Sequence, residues 1–260
     1  MTLLHPDEAL QRILASAQTL SETETVPLAS ARGRVLAKPL TARCTLPPFD
    51  VSAMDGYACV VDTPDRRTPM RLKVIGESAA GHPFMGEPGH GEAVRVMTGA
   101  AVPRTANTIV LREQAEEDGA RVVLHPPFEP GRHIRRKGLD FERGAPLLHP
   151  GVPLDARHIG LAAAMGHARL AVLRRPKVAI IATGDELLEP GAPAGDGARV
   201  FSSNPSWAAA MISGAAGEAL IIGTAGDSVA SLTAALDAAR DSRADIILTC
   251  GGVSAGARDL

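Results

Sequence analysis

Residues 47–58 read Pro-Pro-Phe-Asp-Val-Ser-Ala-Met-Asp-Gly-Tyr-Ala, a run too polar and too rich in turn formers to be ordinary core. Two prolines prevent a helix, and the Asp55-Gly56 pair is typical of a tight turn in which glycine takes a positive φ. The segment is therefore predicted to be a rigid loop that presents Asp50, Ser52 and Asp55. The alternative is a hairpin turn that only reverses the chain, because Asp-Gly between apolar neighbours also favours that structure.

The composition of the whole chain is that of a globular protein. Its 260 residues are 45% hydrophobic, which suffices for one large domain or two to three small ones. A formal net charge of −2 gives no overall attraction for nucleic acid or an anionic membrane. Three widely spaced cysteines, Cys44, Cys59 and Cys250, favour neither a disulfide framework nor a zinc cluster. Without a signal segment or a long uninterrupted apolar stretch, we expect a cytoplasmic protein with no membrane contact.

Helical patterns flank a β-rich region. One helix is predicted to open at Pro6, a second around residues 28–40, and a third over 154–166. We expect residues 1–46 with 141–175 to form one discontinuous helical domain that leaves an apolar face for a later segment or a second subunit.

Residues 47–140 are predicted to form a small β domain. Short strands are predicted at 71–75, 93–97, 108–111 and 121–124, with Gly and Pro clusters between them. The run Val-Met-Thr-Gly-Ala at 96–100 puts Thr98 and a glycine at a strand end, where backbone N–H groups can face an anion. The alternative is that the small residues only make room for a turn.

The densest positive run lies at 131–140 and reads Gly-Arg-His-Ile-Arg-Arg-Lys-Gly-Leu-Asp. Arginine binds phosphate and other oxyanions with two parallel hydrogen bonds, and glycine lets a ligand approach the backbone. Such runs are also common on solvated faces. Because this one lies in a Pro/Gly-rich connection, Arg135 and Asp140 are candidate site residues.

From residue 176 the pattern becomes strand, loop and helix in repetition. Apolar strands are predicted at 178–182, 219–222 and 245–248, with helices after Asn204-Pro205 and after Ser228. Fully apolar strands alternating with helices predict a parallel sheet covered on both faces, with ligands beyond the carboxyl ends of the strands. Polar residues and glycines follow all three strands: Thr183, Gly184, Asp185, Glu186, Asp227, Gly251, Gly252, Ser254 and Asp259.

These strand ends combine two kinds of ligand chemistry. Glycine-rich turns offer N–H groups to phosphate, whereas carboxylates at the same place would repel it unless a divalent cation lay between them. Mg²⁺ is the expected cation, with Glu186, Asp227 and Asp259 as its predicted ligands.

Five of these motifs, in this order, resemble the molybdopterin molybdotransferase family, which includes the MoeA-type enzymes and the E domain of gephyrin. They are residues 47–58, the Met-Thr-Gly-Ala at 97–100, the Arg-Arg-x-Gly-x-Asp at 135–140, the Thr-Gly-Asp-Glu-Leu at 183–187, and the Gly-Gly-Val-Ser-x-Gly at 251–256. The resemblance implies a fold with a helical dimerisation segment, a β-rich domain (47–140) and a doubly wound parallel α/β domain of the molybdopterin-binding type (176–260).

The same resemblance implies an activity and roles for the residues. The family inserts molybdate into adenylylated molybdopterin with release of AMP, assisted by Mg²⁺, as a homodimer; contact with the molybdopterin adenylyltransferase is expected. Asp55, Thr98 and Glu186 would be catalytic, and Glu186, Asp227 and Asp259 would bind metal. Substrate contacts would come from Ser52, Arg135, Asp140, Thr183, Gly184, Asp185, Gly251, Gly252 and Ser254.

Some features depart from the family pattern. Ser202-Ser203-Asn204 stands where an Asp is usual, Cys250 stands where Ser or Thr is more common, and the chain stops just past a third strand. We therefore expect a C-terminally truncated, catalytically impaired chain with a partial α/β domain. The alternatives are a non-catalytic molybdopterin-binding or scaffold protein, or a molybdopterin adenylyltransferase, which would lack the Asp55 motif and the β domain.

Overall fold

The computed structural model describes residues 4–63, 67–193 and 197–252, which form two compact units. The unit called the α/β unit below comprises Met1–Lys38, His149–Ile159 and Ala168–Leu260. The other, called the β unit, comprises Pro39–Leu148 and Gly160–His167. Each unit therefore joins segments that are distant in sequence.

Helices and strands alternate along the chain in the following order. They are α1 (Pro6–Ser16), β1 (Thr23–Pro27), β2 (Leu40–Thr41), β3 (Val51–Ser52), β4 (Gly56–Cys59), β5 (Met70–Ser78), β6 (Glu92–Val96), β7 (Thr108–Leu111), β8 (Ala115–Asp118), β9 (Arg121–Leu124), β10 (Ile134–Arg135), β11 (Pro146–Leu148), α2 (Ala156–Ala164), β12 (Arg169–Leu173), β13 (Lys177–Thr183), β14 (Leu187–Leu188), β15 (Val200–Phe201), α3 (Asn204–Gly214), β16 (Glu218–Ala225), α4 (Val229–Asp241) and β17 (Ile246–Cys250). Short 3-10 helices occupy Leu28–Ser30 and Arg112–Gln114.

The β unit is built on a six-stranded sheet in the order β7-β4-β6-β5-β9-β8. Neighbouring strands are antiparallel except β5 and β6, which are parallel. Strand β4 is buried along its whole length, with Tyr57 and Cys59 in one apolar cluster and Ala58 in a second. Because alternate residues of a strand face opposite sides, the sheet has a core on both of its faces at this strand.

Tyr57 is the only tyrosine of the chain, and its hydroxyl donates a 2.7 Å hydrogen bond to Glu117. Burial, and then the Glu117 carboxylate, raise the pKa of Tyr57 to about 12. We expect the tyrosinate absorbance of the folded protein to develop with a midpoint near that pH. The stability that this neutral hydroxyl contributes is then complete below about pH 10 and is lost as the pH rises toward 12.

The measurement is a spectrophotometric alkaline titration of native protein and of protein in denaturant. A Glu117→Gln variant is the matched control: its midpoint should fall only slightly, because burial is the larger cause. A native midpoint equal to that of the denatured chain would show that Tyr57 is not enclosed.

Cys59 lies next to this tyrosine pair in β4 and is fully buried. Burial raises the pKa of its thiol to about 12, so the reactive thiolate is scarce while the sheet is intact. Cys44 is exposed and Cys250 is partly buried. Chemical labelling of Cys59 therefore reports unfolding of the β unit.

The α/β unit contains a parallel sheet in the order β16-β13-β17. Ala208 of α3 packs with Val178 and Ile180, while Ala239 of α4 packs with Ala179 and Ile181. Since these two pairs alternate along β13, the two helices cover opposite faces. The prediction of a doubly wound parallel sheet is confirmed.

The predicted helix around residues 28–40 is wrong. Only the 3-10 turn at Leu28–Ser30 forms, and Val35 and Leu36 then make β-bridges to Pro153 and Val172. Gly33, with φ +76°, ends the turn, and its N–H donates to the Leu154 carbonyl. The apolar spacing suits a helix, but bridging to distant segments satisfies the same backbone groups.

An ion-pair cluster joins the start of this unit to its parallel sheet. Arg174, just after β12, bonds Asp245 through both guanidinium nitrogens at 2.7 and 2.9 Å and Glu22 at 2.8 Å. The Lys177 N–H donates to the same Asp245 carboxylate. These contacts, the Arg174 guanidinium first, lower the pKa of Asp245 to about 2.

We expect Asp245→Asn to reduce the free energy of unfolding by about 1–3 kcal/mol at neutral pH, since it loses charge-assisted hydrogen bonds. The stabilisation is present above the unfolded pKa of about 4 and is lost as the pH falls toward 2, so variant and parent should converge there. Urea unfolding at several pH values measures this. Asp237→Asn, which breaks an exposed pair with Arg240, is the control and should change stability by less than about 0.5 kcal/mol.

Within the described ranges, none of the helices is both long and apolar enough to cross a bilayer.

Candidate functional site

Three segments that the sequence singled out separately lie side by side in the β unit. Residues 50–52 run between residues 99–102 and residues 134–137, and we call these three segments the platform. Ser52 donates its N–H to Ala100 and accepts from the Gly99 N–H, while β3 pairs with β10 on the other side. The joining hydrogen bonds are mostly between backbone groups, so the platform holds its shape independently of many side chains.

Asp55 is held at one end of the platform by Thr98. The Oδ1 atom of Asp55 accepts hydrogen bonds from the Thr98 N–H at 2.7 Å and from the Thr98 hydroxyl at 2.8 Å. These two bonds, the backbone one first, lower the pKa of Asp55, and the positive charges of Arg112 and Arg95 act in the same direction. Asp55 is therefore an exposed carboxylate that is ionised at neutral pH and fixed in direction.

A small cavity of about 40 Å³ adjoins this carboxylate, and Tyr57, Arg95 and Arg112 contribute to its lining. Arg95 lies 3.6 Å from Glu117, which also accepts the Tyr57 hydroxyl. Two cations beside an ionised Asp55 create a place where an oxyanion and a carboxylate can both be stabilised.

Gly56 has a different role from the one that the sequence predicts. It does not have a positive φ, and it begins strand β4 instead of turning the chain. A Cβ atom on Gly56 would lie 2.1 Å from the Val110 carbonyl oxygen, so glycine is required for the close approach of β4 and β7. The prediction of a positive-φ turn at Asp55-Gly56 is wrong, whereas the exposure of Asp55 from this segment is as predicted.

Ser52 faces into its own loop. It is buried, and its hydroxyl donates to the Met54 carbonyl and accepts from the Met54 N–H at 3.4 Å. These bonds fix the turn that leads to Asp55. Its predicted contact with substrate stays a prediction.

The basic run lies along the first motif in antiparallel direction. Arg135 pairs with Val51 in the β-ladder, and Asp140 donates its N–H to the Leu46 carbonyl. The side chains of Arg135 and Asp140 are exposed. The structure thus brings Arg135 into the platform, while Asp140 lies beyond it, beside an apolar cavity that Leu46 and Phe141 help to line.

Asp50 links the two motifs. Its carboxylate accepts from Arg136 at 2.6 Å and from the Lys137 N–H at 2.8 Å. Burial opposes ionisation of Asp50, but these two hydrogen bonds outweigh it and lower its pKa. Asp50 therefore anchors the basic segment.

In the α/β unit, the carboxyl ends of the three parallel strands lie together. Thr183 of β13 is in register with Ala225 of β16, and Ala182 with Cys250 of β17. The predicted site residues Thr183, Gly184, Asp185, Glu186, Asp227, Gly251 and Gly252 all belong to this edge. Ser254 and Asp259 lie outside the described residues.

Glycines allow unusually close packing at this edge. A Cβ atom on Gly251 would lie 2.4 Å from the Thr183 hydroxyl oxygen, and one on Gly226 would lie 2.7 Å from Asp185 Oδ1. Asp185 accepts the Asp227 N–H at 3.1 Å, so it ties two strand ends together. Glu186 and Asp227 keep exposed side chains.

Carboxylate oxygens are the ligands that Mg²⁺ prefers. Within the described part of the chain, however, no three acidic, His or Cys side chains converge as a metal-binding group. Glu186 and Asp227 therefore do not make a complete site by themselves, and we derive no chemical step through a metal.

Two groups of candidate residues result. Asp55, Thr98, Arg135 and Ser52 are together in the β unit, and the strand-end residues are together in the α/β unit. The sequence reasoning missed Arg104, Phe49 and Arg112 as neighbours of these motifs. None of the three carries a local signal, because their relevance arises only from proximity in the fold.

The comparisons with known proteins agree with this arrangement. Residues 4–166 match the family described as the MoeA N-terminal region (domain I and II), and residues 179–260 match the one described as a probable molybdopterin binding domain. Together these matches define a molybdopterin-related protein. The chain belongs to the MoeA family, which confirms the resemblance and the fold class.

The chain is 40% identical over 96% of its length to molybdopterin molybdenumtransferase 2 of Mycobacterium tuberculosis, and 34% identical over 99% to the molybdopterin molybdenumtransferase of Haemophilus influenzae. It spans 62% and 63% of those proteins. A crystal structure of the molybdopterin biosynthesis moeA protein from Pyrococcus horikoshii OT3 superposes with a TM-score of 0.87 at 30% identity, covering 95% of this chain and 66% of that one.

Proposed function

We propose that this chain acts as a molybdopterin molybdenumtransferase, which inserts molybdate into adenylylated molybdopterin and releases AMP. The observation that carries the proposal is the fixed, ionised Asp55 on a platform that three family motifs build together. The names of the relatives, at 34–40% identity, support the same reaction.

The residues divide into roles under this proposal. Asp55 acts as a carboxylate, either accepting a proton or directing a cation, and Thr98 orients it. Arg135 binds the oxyanion, and the strand ends with Thr183 and Gly251 receive substrate phosphates. Glu186 and Asp227, with Asp259, hold Mg²⁺, which would neutralise phosphate charge. Asp140, Asp185, Gly184, Gly252 and Ser254 contribute further substrate contacts.

The test is AMP release from adenylylated molybdopterin by the purified chain, with and without molybdate and with Mg²⁺ or EDTA. Molybdate-dependent release, at one AMP per pterin, is the expected result. Tight binding of the pterin without release would instead indicate a carrier, and formation of adenylylated pterin from ATP would indicate an adenylyltransferase. Unchanged release in EDTA would remove Mg²⁺ from the proposal.

The assembly is proposed to be a cytoplasmic homodimer that receives its substrate from the adenylyltransferase. Helix α1 supports a subunit contact, because Leu10, Ile13 and Leu14 form an apolar stripe that is exposed in this chain. Sedimentation should give a dimer for the parent and a smaller species for Ile13→Glu. An Arg12→Glu variant, altered next to the stripe, is the control, and a monomeric parent would contradict the proposal.

A further inference from the structure

A second pocket lies on the other side of the platform from Asp55's cavity residues. It has a volume of about 340 Å³, and Asp50, Arg104, Arg136 and Lys137 contribute its charged lining. Ligand pockets in proteins span about 300–1,000 Å³, so this one suits part of a small molecule. It is also about ten times the ~30 Å³ share of one water molecule in the liquid.

The charge of the pocket is positive. Its lining holds three cations and one carboxylate, and Asp50 is already bonded to Arg136. Among the described residues, the guanidinium of Arg104 and the ammonium of Lys137 have no ion pair or hydrogen bond. Two uncompensated cations therefore face a concave surface, where they favour an anion with two negative charges.

The pocket is partly prepared for such an anion. Asp50 engages only one terminal nitrogen of Arg136, which leaves other N–H donors of that guanidinium, and it also fixes the backbone at Lys137. A cation that is held in place before binding loses less conformational entropy when its ligand arrives.

The remaining wall of the pocket is apolar. Phe49 has 46% of its surface exposed, and Pro48, Val102, Pro103 and Ala106 complete the lining around it. An exposed aromatic ring next to cations suits a ligand in which a phosphate is joined to a planar ring, since rings stack on aromatic faces. A bare oxyanion would leave this wall without a partner.

We propose that this pocket binds a phosphomonoester that carries a planar heteroaromatic ring, with Arg104 and Lys137 holding the phosphate and Phe49 covering the ring. The inference rests on the proposed function for the choice of ligand. Cleavage of the phosphoanhydride in adenylylated molybdopterin leaves two phosphomonoesters, AMP and the pterin phosphate, and the α/β strand ends are proposed to take only part of that substrate.

The experiment is calorimetric titration of the whole chain with AMP, adenosine, ribose 5-phosphate and a 6-methylpterin phosphate. At least one of the two aromatic phosphomonoesters should bind about ten-fold or more tightly than adenosine. Whichever binds more tightly identifies the natural source of the phosphate. Equal affinity for AMP, the pterin phosphate and adenosine would overturn the proposal.

Variants assign the pocket residues. Arg104→Gln and Lys137→Gln should each lower the affinity for the preferred phosphomonoester about ten-fold or more, and Arg104→Lys should restore part of it. Arg132→Gln is the matched control, because Arg132 is an exposed arginine of the same run that pairs with Glu129 and does not line the pocket. Equal losses in Arg104→Gln and Arg132→Gln would overturn the assignment.

Phe49→Leu separates the ring from the phosphate. It should weaken the aromatic phosphomonoester several-fold and leave ribose 5-phosphate unchanged, whereas equal loss for both would contradict the role of Phe49. Parallel AMP-release assays keep the two hypotheses apart. Release without any effect of the pocket variants on binding defeats this inference alone, while pocket-dependent binding without release defeats the proposed transferase activity alone.

Discussion

Asp55→Asn is expected to lower molybdate-dependent AMP release at least about 100-fold. The substitution keeps the size of the side chain and its acceptor oxygen for Thr98, but it removes the negative charge that two Thr98 hydrogen bonds and two nearby arginines stabilise. Because the pKa of Asp55 is lowered, the parent should stay active as the pH falls to about 4, and the acid limb of its pH–rate profile should lie below that.

Thr98→Val is the companion variant. It retains the backbone donor and loses only the hydroxyl, so a smaller reduction of about ten-fold is expected, with the acid limb moved to higher pH because the pKa of Asp55 rises. Protection of Cys59 from labelling verifies that both variants are folded. If Asp55→Asn released AMP at the rate of the parent, the carboxylate would have no part in the reaction.

Gly56→Ala is expected to destabilise the β unit by about 3 kcal/mol or more. The added Cβ would overlap the Val110 carbonyl oxygen, which belongs to the neighbouring strand and cannot move without breaking the β4–β7 ladder. Labelling of Cys59 in increasing urea measures the effect, since this thiol lies in the same strand and is buried.

Gly160→Ala is the matched control for the glycine substitution. Gly160 lies in helix α2 with no atom within 4 Å of a Cβ built on it, so alanine should stabilise the helix by up to about 1 kcal/mol. A Gly56→Ala variant as resistant to urea as Gly160→Ala would show that β4 and β7 tolerate a wider separation.

The α/β unit was predictable because its signals are local. Each strand is a continuous apolar run, and each helix begins at a recognisable cap, such as Ser228, whose hydroxyl accepts the Ser231 N–H as expected. Strands β7 and β9 likewise occupy the predicted residues, Thr108–Leu111 and Arg121–Leu124. In these places, local preference and tertiary packing agree.

The failures occur where a distant segment overrides a local pattern. Residues 28–40 have helical apolar spacing, yet Val35 and Leu36 bridge to segments more than a hundred residues away. Strand β4 was missed because Asp-Gly is a strong turn signal, whereas the position of Gly56 is set by the Val110 carbonyl across the sheet. Sequence patterns contain no record of such neighbours.

The candidate site shows the same division. Asp55, Thr98 and Arg135 could be selected as chemically apt residues, but the 43-residue separation of Asp55 and Thr98 hides their hydrogen bonds. The pocket with Arg104 and Phe49 could not be anticipated, because its lining comes from three separate stretches that meet only when the platform forms.

The backbone construction of the platform also bears on how such a protein can diverge. Hydrogen bonds from the N–H groups of Ser52, Ala53 and Gly99 do not depend on the side chains that their partners carry. Substitutions at Val51, Ala53 or Ala101 can therefore accumulate over generations while the scaffold under Asp55 keeps its geometry. Ligand preference can drift in this lineage more readily than the direction of its carboxylate.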